Sequence, residues 1–113
     1  MRYFNKKTAC RSGHTHASGK EARRCDALQE RVVAGEIVSL RPEPVFTFHL
    51  NGTEIKMRNG QAMRYTGDFT YIEGNQQIVE EVKAKNGHMS RDVPVKLALM
   101  KAFYPDIVVR VLK

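Results

Sequence analysis

Residues 67–85 read GDFTYIEGNQQIVEEVKAK. Two runs rich in β-branched and aromatic residues flank Gly74-Asn75, a two-residue turn signal of the glycine-first kind. The stretch predicts a β-hairpin with strands over about 63–72 and 77–84. Counting outward from the turn, Glu73 faces Gln76 and Asp68 faces Glu81. Facing residues project to the same side, with Cβ atoms about 5 Å apart. Lys83, two residues beyond Glu81, shares that side. Two facing carboxylates destabilise a sheet unless a cation intervenes. A turn one residue longer would set Val82 opposite Asp68, so the arrangement depends on the turn.

Mg²⁺ would resolve the conflict. It takes hard oxygen ligands, keeps several waters, and often needs only one or two protein carboxylates beside a substrate phosphate. Lys83 is then placed to orient, or help deprotonate, a water that attacks phosphorus. The bland alternative is a surface ion pair in which Lys83 neutralises the two acids, worth little. The E-x-K pattern is cheap. A second copy, Glu54-Ile55-Lys56, falls in a segment that reads as an exposed strand or loop without function.

Outward from the hairpin, Ser18-Gly19-Lys20-Glu21 has the form of a capping box. Ala22, Cys25, Leu28 or Gln29, and Val32 recur at helical spacing, and Gly35 sits where a left-handed C-terminal residue belongs. These signals predict a helix over about 18–34. Phe46, Phe48 and Leu50 alternate in a strand over 45–50, after two prolines that hold the chain extended. Residues 51–62 carry two Asn-Gly turn signals and stay open between a short strand and a loop. Val93, Leu97, Met100 and Tyr104 form one helical stripe. Ser90 or Asp92 is its cap, Pro94 fits the first turn, and Pro105 ends it. IVVRVL, residues 107–112, suits a buried strand. The fold class is α/β: helix, three strands, helix, strand, with a mixed sheet flanked by helices. Residues 1–17 read as a basic, partly disordered arm, and 18–113 as the folded domain.

Nineteen Lys and Arg stand against twelve Asp and Glu in 113 residues, a net charge of +7. That balance points to a polyanionic partner, nucleic acid first. Candidate DNA-binding residues are Lys20, Arg23 and Arg24 on the first helix, Lys85 after the hairpin, and Arg91, Lys96 and Lys101 around the second helix, with Lys85, Arg91 and Lys96 foremost. Phosphate contacts of this kind give affinity without sequence preference. No recognition helix or aromatic stacking pattern stands out, so DNA shape is the feature to be read. No apolar run approaches a membrane span and no secretory signal is visible, which leads to the expectation of a cytoplasmic protein with no membrane partner. Cys10, His14, His16 and Cys25 are suitable zinc ligands, but their spacing matches no common site.

Asp68, followed one hairpin later by Glu81-Val82-Lys83, resembles the split motif of the PD-(D/E)xK nucleases. The helix, three strands, helix, strand order is similar to their common core. SGKEARRCDALQERVVAGEIVSLRPEPVFTF (18–48), GDFTYIEGNQQIVEEVK (67–83) and RDVPVKLALMKAFYPDIVVRVL (91–112) resemble a family of short phage and prophage endonuclease-like proteins. That family belongs to the restriction-endonuclease-like superfamily. The resemblance implies a Mg²⁺-dependent endodeoxyribonuclease, with Mn²⁺ as a substitute, in the cytoplasm of the host cell. Asp68 and Glu81 would be metal ligands and Lys83 the catalytic lysine. Many such nucleases add a glutamate from the first helix. Glu21 stands there, in competition with its use in the capping box. Thr66-Gly67 stands where the nominal motif has a proline. By analogy with similar small nucleases the substrate is branched or structured DNA, and cutting two strands needs two sites, which a homodimer supplies. The alternative is a non-catalytic DNA-binding protein that retains the fold. A third option is a protein-interaction module whose basicity is incidental.

Overall fold

The structure, a computed structural model, describes residues 19–83 and 92–112 together with the backbone of 8–9 and 15–16. In chain order, β1 (Thr8–Ala9) and β2 (Thr15–His16) form a small antiparallel pair ahead of α1 (Gly19–Val33). β3 (Val38–Pro42), β4 (Val45–Thr47), β5 (His49–Leu50), β6 (Thr53–Glu54) and β7 (Arg64–Thr66) follow. Then come β8 (Phe69–Glu73), β9 (Gln76–Val82), α2 (Asp92–Phe103) and β10 (Ile107–Leu112).

α1 forms where the apolar spacing demands it. Ala22, Cys25 and Leu28 are its buried stripe. Burying a leucine side chain as fully as Leu28 contributes about 2 kcal/mol. The helix stops at Gly35, whose φ of 78° is left-handed. The N–H groups of Gly35 and Glu36 donate back to the carbonyls of Val32 (3.0 Å) and Arg31 (2.9 Å), which satisfies the end of the helix.

The main sheet runs β10-β9-β8-β3. β8 and β9 are the predicted hairpin, with Glu73 paired to Gln76 and Phe69 to Glu80. Gly74 takes φ 66° at the first turn position, the conformation a glycine-first turn requires. β10 lies parallel to β9 and is reached by a crossover through α2. α1 covers one face of the sheet, against Ile37, Phe69, Tyr71 and Ile78. α2 and the β4–β7 region cover the other, where Phe48, Tyr65, Val79 and Met100 are buried.

Three expectations are corrected. The first strand of the main sheet is β3, not 45–50. That segment breaks at Phe48 into β4 and β5, which pair with β7 and β6 outside the main sheet. β3 hides from pattern reading because it is a sheet edge with a register shift between Val38 and Arg41 and a left-handed Ser39 (φ 58°). The strand expected over 63–72 divides at Gly67-Asp68, where the chain passes from the side sheet into the main one. β10 occupies the other edge, so Val108 and Val111 remain exposed instead of buried. Among the described residues no helix is long and apolar enough to cross a membrane.

Candidate functional site

Asp68 sits at the break between β7 and β8 and is held from three directions. Its N–H donates to the Glu80 carbonyl at 2.9 Å, and its own carbonyl accepts the Glu43 N–H at 2.9 Å. Its Oδ2 accepts the Val82 N–H at 2.6 Å. Gly67 explains why no proline precedes it. A Cβ there would meet Val79 Cγ1 at 2.6 Å, and the Gly67 N–H, which proline lacks, donates to the Pro44 carbonyl at 3.0 Å.

The hairpin pairing runs from Glu73–Gln76 to Phe69–Glu80, so Asp68 and Glu81 are the next residues beyond it, and the Asp68 charge acts on Glu81. Glu81 Oε1 accepts the Tyr65 hydroxyl at 2.7 Å. Tyr65 is buried and stacks on Phe46, so the side sheet delivers this hydroxyl to the hairpin. Burial first, then the neighbouring Glu81 and Asp68 charges, push the phenol pKa up, and Tyr65 remains a donor.

The Glu21 carboxyl from α1 is hydrogen-bonded to Asp68. Of the two uses left open by the sequence, it reaches the hairpin; Ser18, the other half of the capping box, lies outside the described residues. Burial pushes the Asp68 pKa up to about 7, assisted by Glu21 and by the Glu43 charge and opposed by the Val82 N–H. Burial and the Asp68 charge also raise Glu81, against the Tyr65 hydrogen bond. The Lys83 N–H continues the ladder to the Leu112 carbonyl at 2.8 Å, so strand alternation sets its side chain on the Glu81 side. Among the described residues its ammonium makes no ion pair.

The adjacent acid, Glu80, turns the other way. It is fully buried, paired with Arg24 through two hydrogen bonds of 2.8 and 2.6 Å, and bonded to the Tyr71 hydroxyl. Arg24, read from the sequence as a DNA contact, has its guanidinium bonded to a buried carboxylate 56 residues away. Lys96 pairs with Asp92 at 3.0 Å on its own helix. Lys20 lines a groove beside α1. Lys85 and Arg91 lie outside the described residues, as do Cys10 and His14, while Cys25 is buried in the core.

Sequence reasoning missed Glu43 and Tyr65. Glu43 stands between Pro42 and Pro44 at φ 50°, a strained conformation for a residue with a side chain. The Pro-Glu-Pro run was a visible signal, but its closeness to Asp68 was not.

The family whose profile matches residues 1–113 is described as a protein of unknown function, DUF1064. The chain belongs to the DUF1064 family. A search of the curated proteins gives no match, and a search of the solved structures gives none. For this DUF1064 chain the chemistry must therefore be argued from the site itself. Asp68 and Glu81 offer hard oxygen donors on one side of the sheet end, half-buried and raised in pKa. Among the described residues no three His, Cys, Asp or Glu side chains come together so as to hold a metal ion by themselves. The site has two carboxylates that interact through charge, a third carboxyl bonded to one of them, and an amine on the strand of Glu81.

Proposed function

We propose that the chain is a Mg²⁺-dependent endodeoxyribonuclease of the PD-(D/E)xK type, hydrolysing phosphodiester bonds in branched or otherwise structured phage DNA. The observation that carries the proposal is the pair Asp68–Glu81: two half-buried acids, each raised in pKa, with Lys83 two residues further along the strand. The donor set fits a hard divalent ion. Two carboxylates suffice for Mg²⁺ when water and substrate oxygens complete its shell, and an acid pair that repels itself gains from a cation.

Asp68 and Glu81 would hold the ion, with Mn²⁺ as a substitute. When bound, it supplies positive charge that lowers the barrier to attack at a phosphodiester phosphorus. The chain's own groups do the rest. The Val82 N–H and the Tyr65 hydroxyl fix the two carboxylates in place. Lys83 Nζ orients the attacking water and stabilises the charge that grows on the phosphate. Glu21 takes part through Asp68. The net charge of +7 supports a DNA partner, in the cytoplasm of the host. Two cuts require two sites, and the open edge of β10, with Val108 and Val111 exposed, gives a surface on which a second copy could pair.

One observation favours the non-catalytic alternative: Glu21 and Asp68 satisfy each other without a cation. Supercoiled plasmid and synthetic four-way junctions, with and without Mg²⁺ or Mn²⁺, separate the two. The nuclease cuts only with metal. Asp68→Asn and Lys83→Ala each lower the rate by about a hundredfold or more while DNA binding persists. Wild-type binding that is salt-sensitive but never leads to a cut, in either metal, would establish the DNA-binding alternative.

A further inference from the structure

Beside α1 runs a groove of about 510 Å³ lined by Lys20, Arg23, Arg24, Ala27, Val82 and Leu112. Lys20, Arg23 and Ala27 stand at i, i+3 and i+7, one face of the helix. Ala27, Val82 and Leu112 give it an apolar floor, and no acid lines it among the described residues. The three cations are not equivalent. The Arg24 charge is cancelled by buried Glu80. Lys20 and Arg23 make no ion pair among the described residues.

The groove lies on the α1 side of the hairpin, the side of Glu80 and Val82, and meets the acid site through the backbone. Val82 contributes its side chain to the floor and its N–H to Asp68 Oδ2, at 2.6 Å. Leu112 contributes its side chain to the floor and its carbonyl to the Lys83 N–H, at 2.8 Å.

We propose that this groove carries the sugar–phosphate backbone of a DNA strand, with Lys20 and Arg23 on its phosphates and the sugars over Ala27, Val82 and Leu112. Arg24 is a structural wall of the groove. The occupant is a strand and not a lone phosphate ion because two cations offset along the helix stand over an apolar floor. Lys20 and Arg23 are offset by about 4.5 Å along the helix axis, so their long side chains reach successive phosphates. The choice of DNA rests on the nuclease proposal above, but the path is tested without cleavage.

Binding of a fluorescein-labelled synthetic duplex is followed by anisotropy in EDTA over a series of NaCl concentrations. Lys20→Gln/Arg23→Gln keeps the aliphatic stems and removes both charges; an unchanged melting temperature confirms the fold. Lys56→Ala/Arg58→Ala removes the same charge from an exposed stretch before β7. The groove pair is expected to weaken binding about tenfold at low salt and to reduce the salt slope by about two, one for each phosphate left without its cation. The control pair should change the slope much less. Equal effects of the two pairs, an unchanged affinity in the groove pair, or no wild-type binding would each overturn the groove. Groove-dependent binding by a protein that never cuts leaves the groove standing and removes the nuclease. Metal-dependent cutting that ignores the groove pair does the reverse.

Discussion

Asp68 is the most strongly perturbed acid of the proposed site. An aspartate in an unfolded chain titrates near 4, whereas Asp68 in the fold sits at about 7 because it is buried and bonded to a second carboxyl. Between those values the folded protein holds a proton that the unfolded chain lacks. Its metal-free stability therefore falls as pH rises from about 4 to about 7, and above that the penalty is complete. Asn in place of Asp68 mimics the protonated acid and still accepts the Val82 N–H. Asp68→Asn is expected to be more stable than wild type above about pH 7 by about 2 kcal/mol, with the gain gone near pH 4. Urea melts at the two ends of that range check it, and a variant less stable at the alkaline end would contradict it. The hairpin and its register from Glu73–Gln76 to Phe69–Glu80 were legible because a hairpin is local and its turn could be counted. Tyr65 and Glu43 were not, because they reach the site through the folding of β4 onto β7 and of the Pro42–Pro44 segment around Asp68.

At the scale of elements, the break between β7 and β8 decides whether Asp68 points correctly. Gly67 permits it by close approach: its amide lies under Pro44 and its missing Cβ leaves room for Val79. Val79 is fully buried and β-branched, so it yields little. Gly67→Ala is expected to cost about 2 kcal/mol, an overpacking penalty. In a Val79→Ala background the same change should cost much less than in wild type, since the colliding methyl is gone. Chemical denaturation of the four proteins in the cycle measures the coupling, and simple additivity would refute the clash. The helices and the hairpin were readable from spacing and caps. β3 was not, because an edge strand with a bulge and a left-handed serine shows almost no alternation; Leu40 is its one half-buried apolar side chain. The run at 45–50 misled for the opposite reason. Phe46 and Phe48 alternate well, but they pack against Tyr104 and, for Phe48, Phe103, under the side sheet.

At the scale of the whole molecule, the described charges fall into paired and unpaired groups. On the α1 side, Arg24–Glu80 joins the helix to the hairpin, while Arg31, Glu73 and Arg110 link α1, β8 and β10. Removing one partner from a buried pair leaves an uncompensated charge, so Arg24 and Glu80 are bound to each other's presence. On the same side Lys20 and Arg23 make no ion pair with the described residues beside the groove, and the acids gather at the end of the hairpin. The proposed function places a cation at these acids. Calorimetric titration of the metal-free protein with Mn²⁺ tests that most directly. Wild type should bind one ion per chain, and Asp68→Asn/Glu81→Gln, folded by its melting curve, should bind none. Equal binding by the two proteins, or none by wild type, would contradict the account.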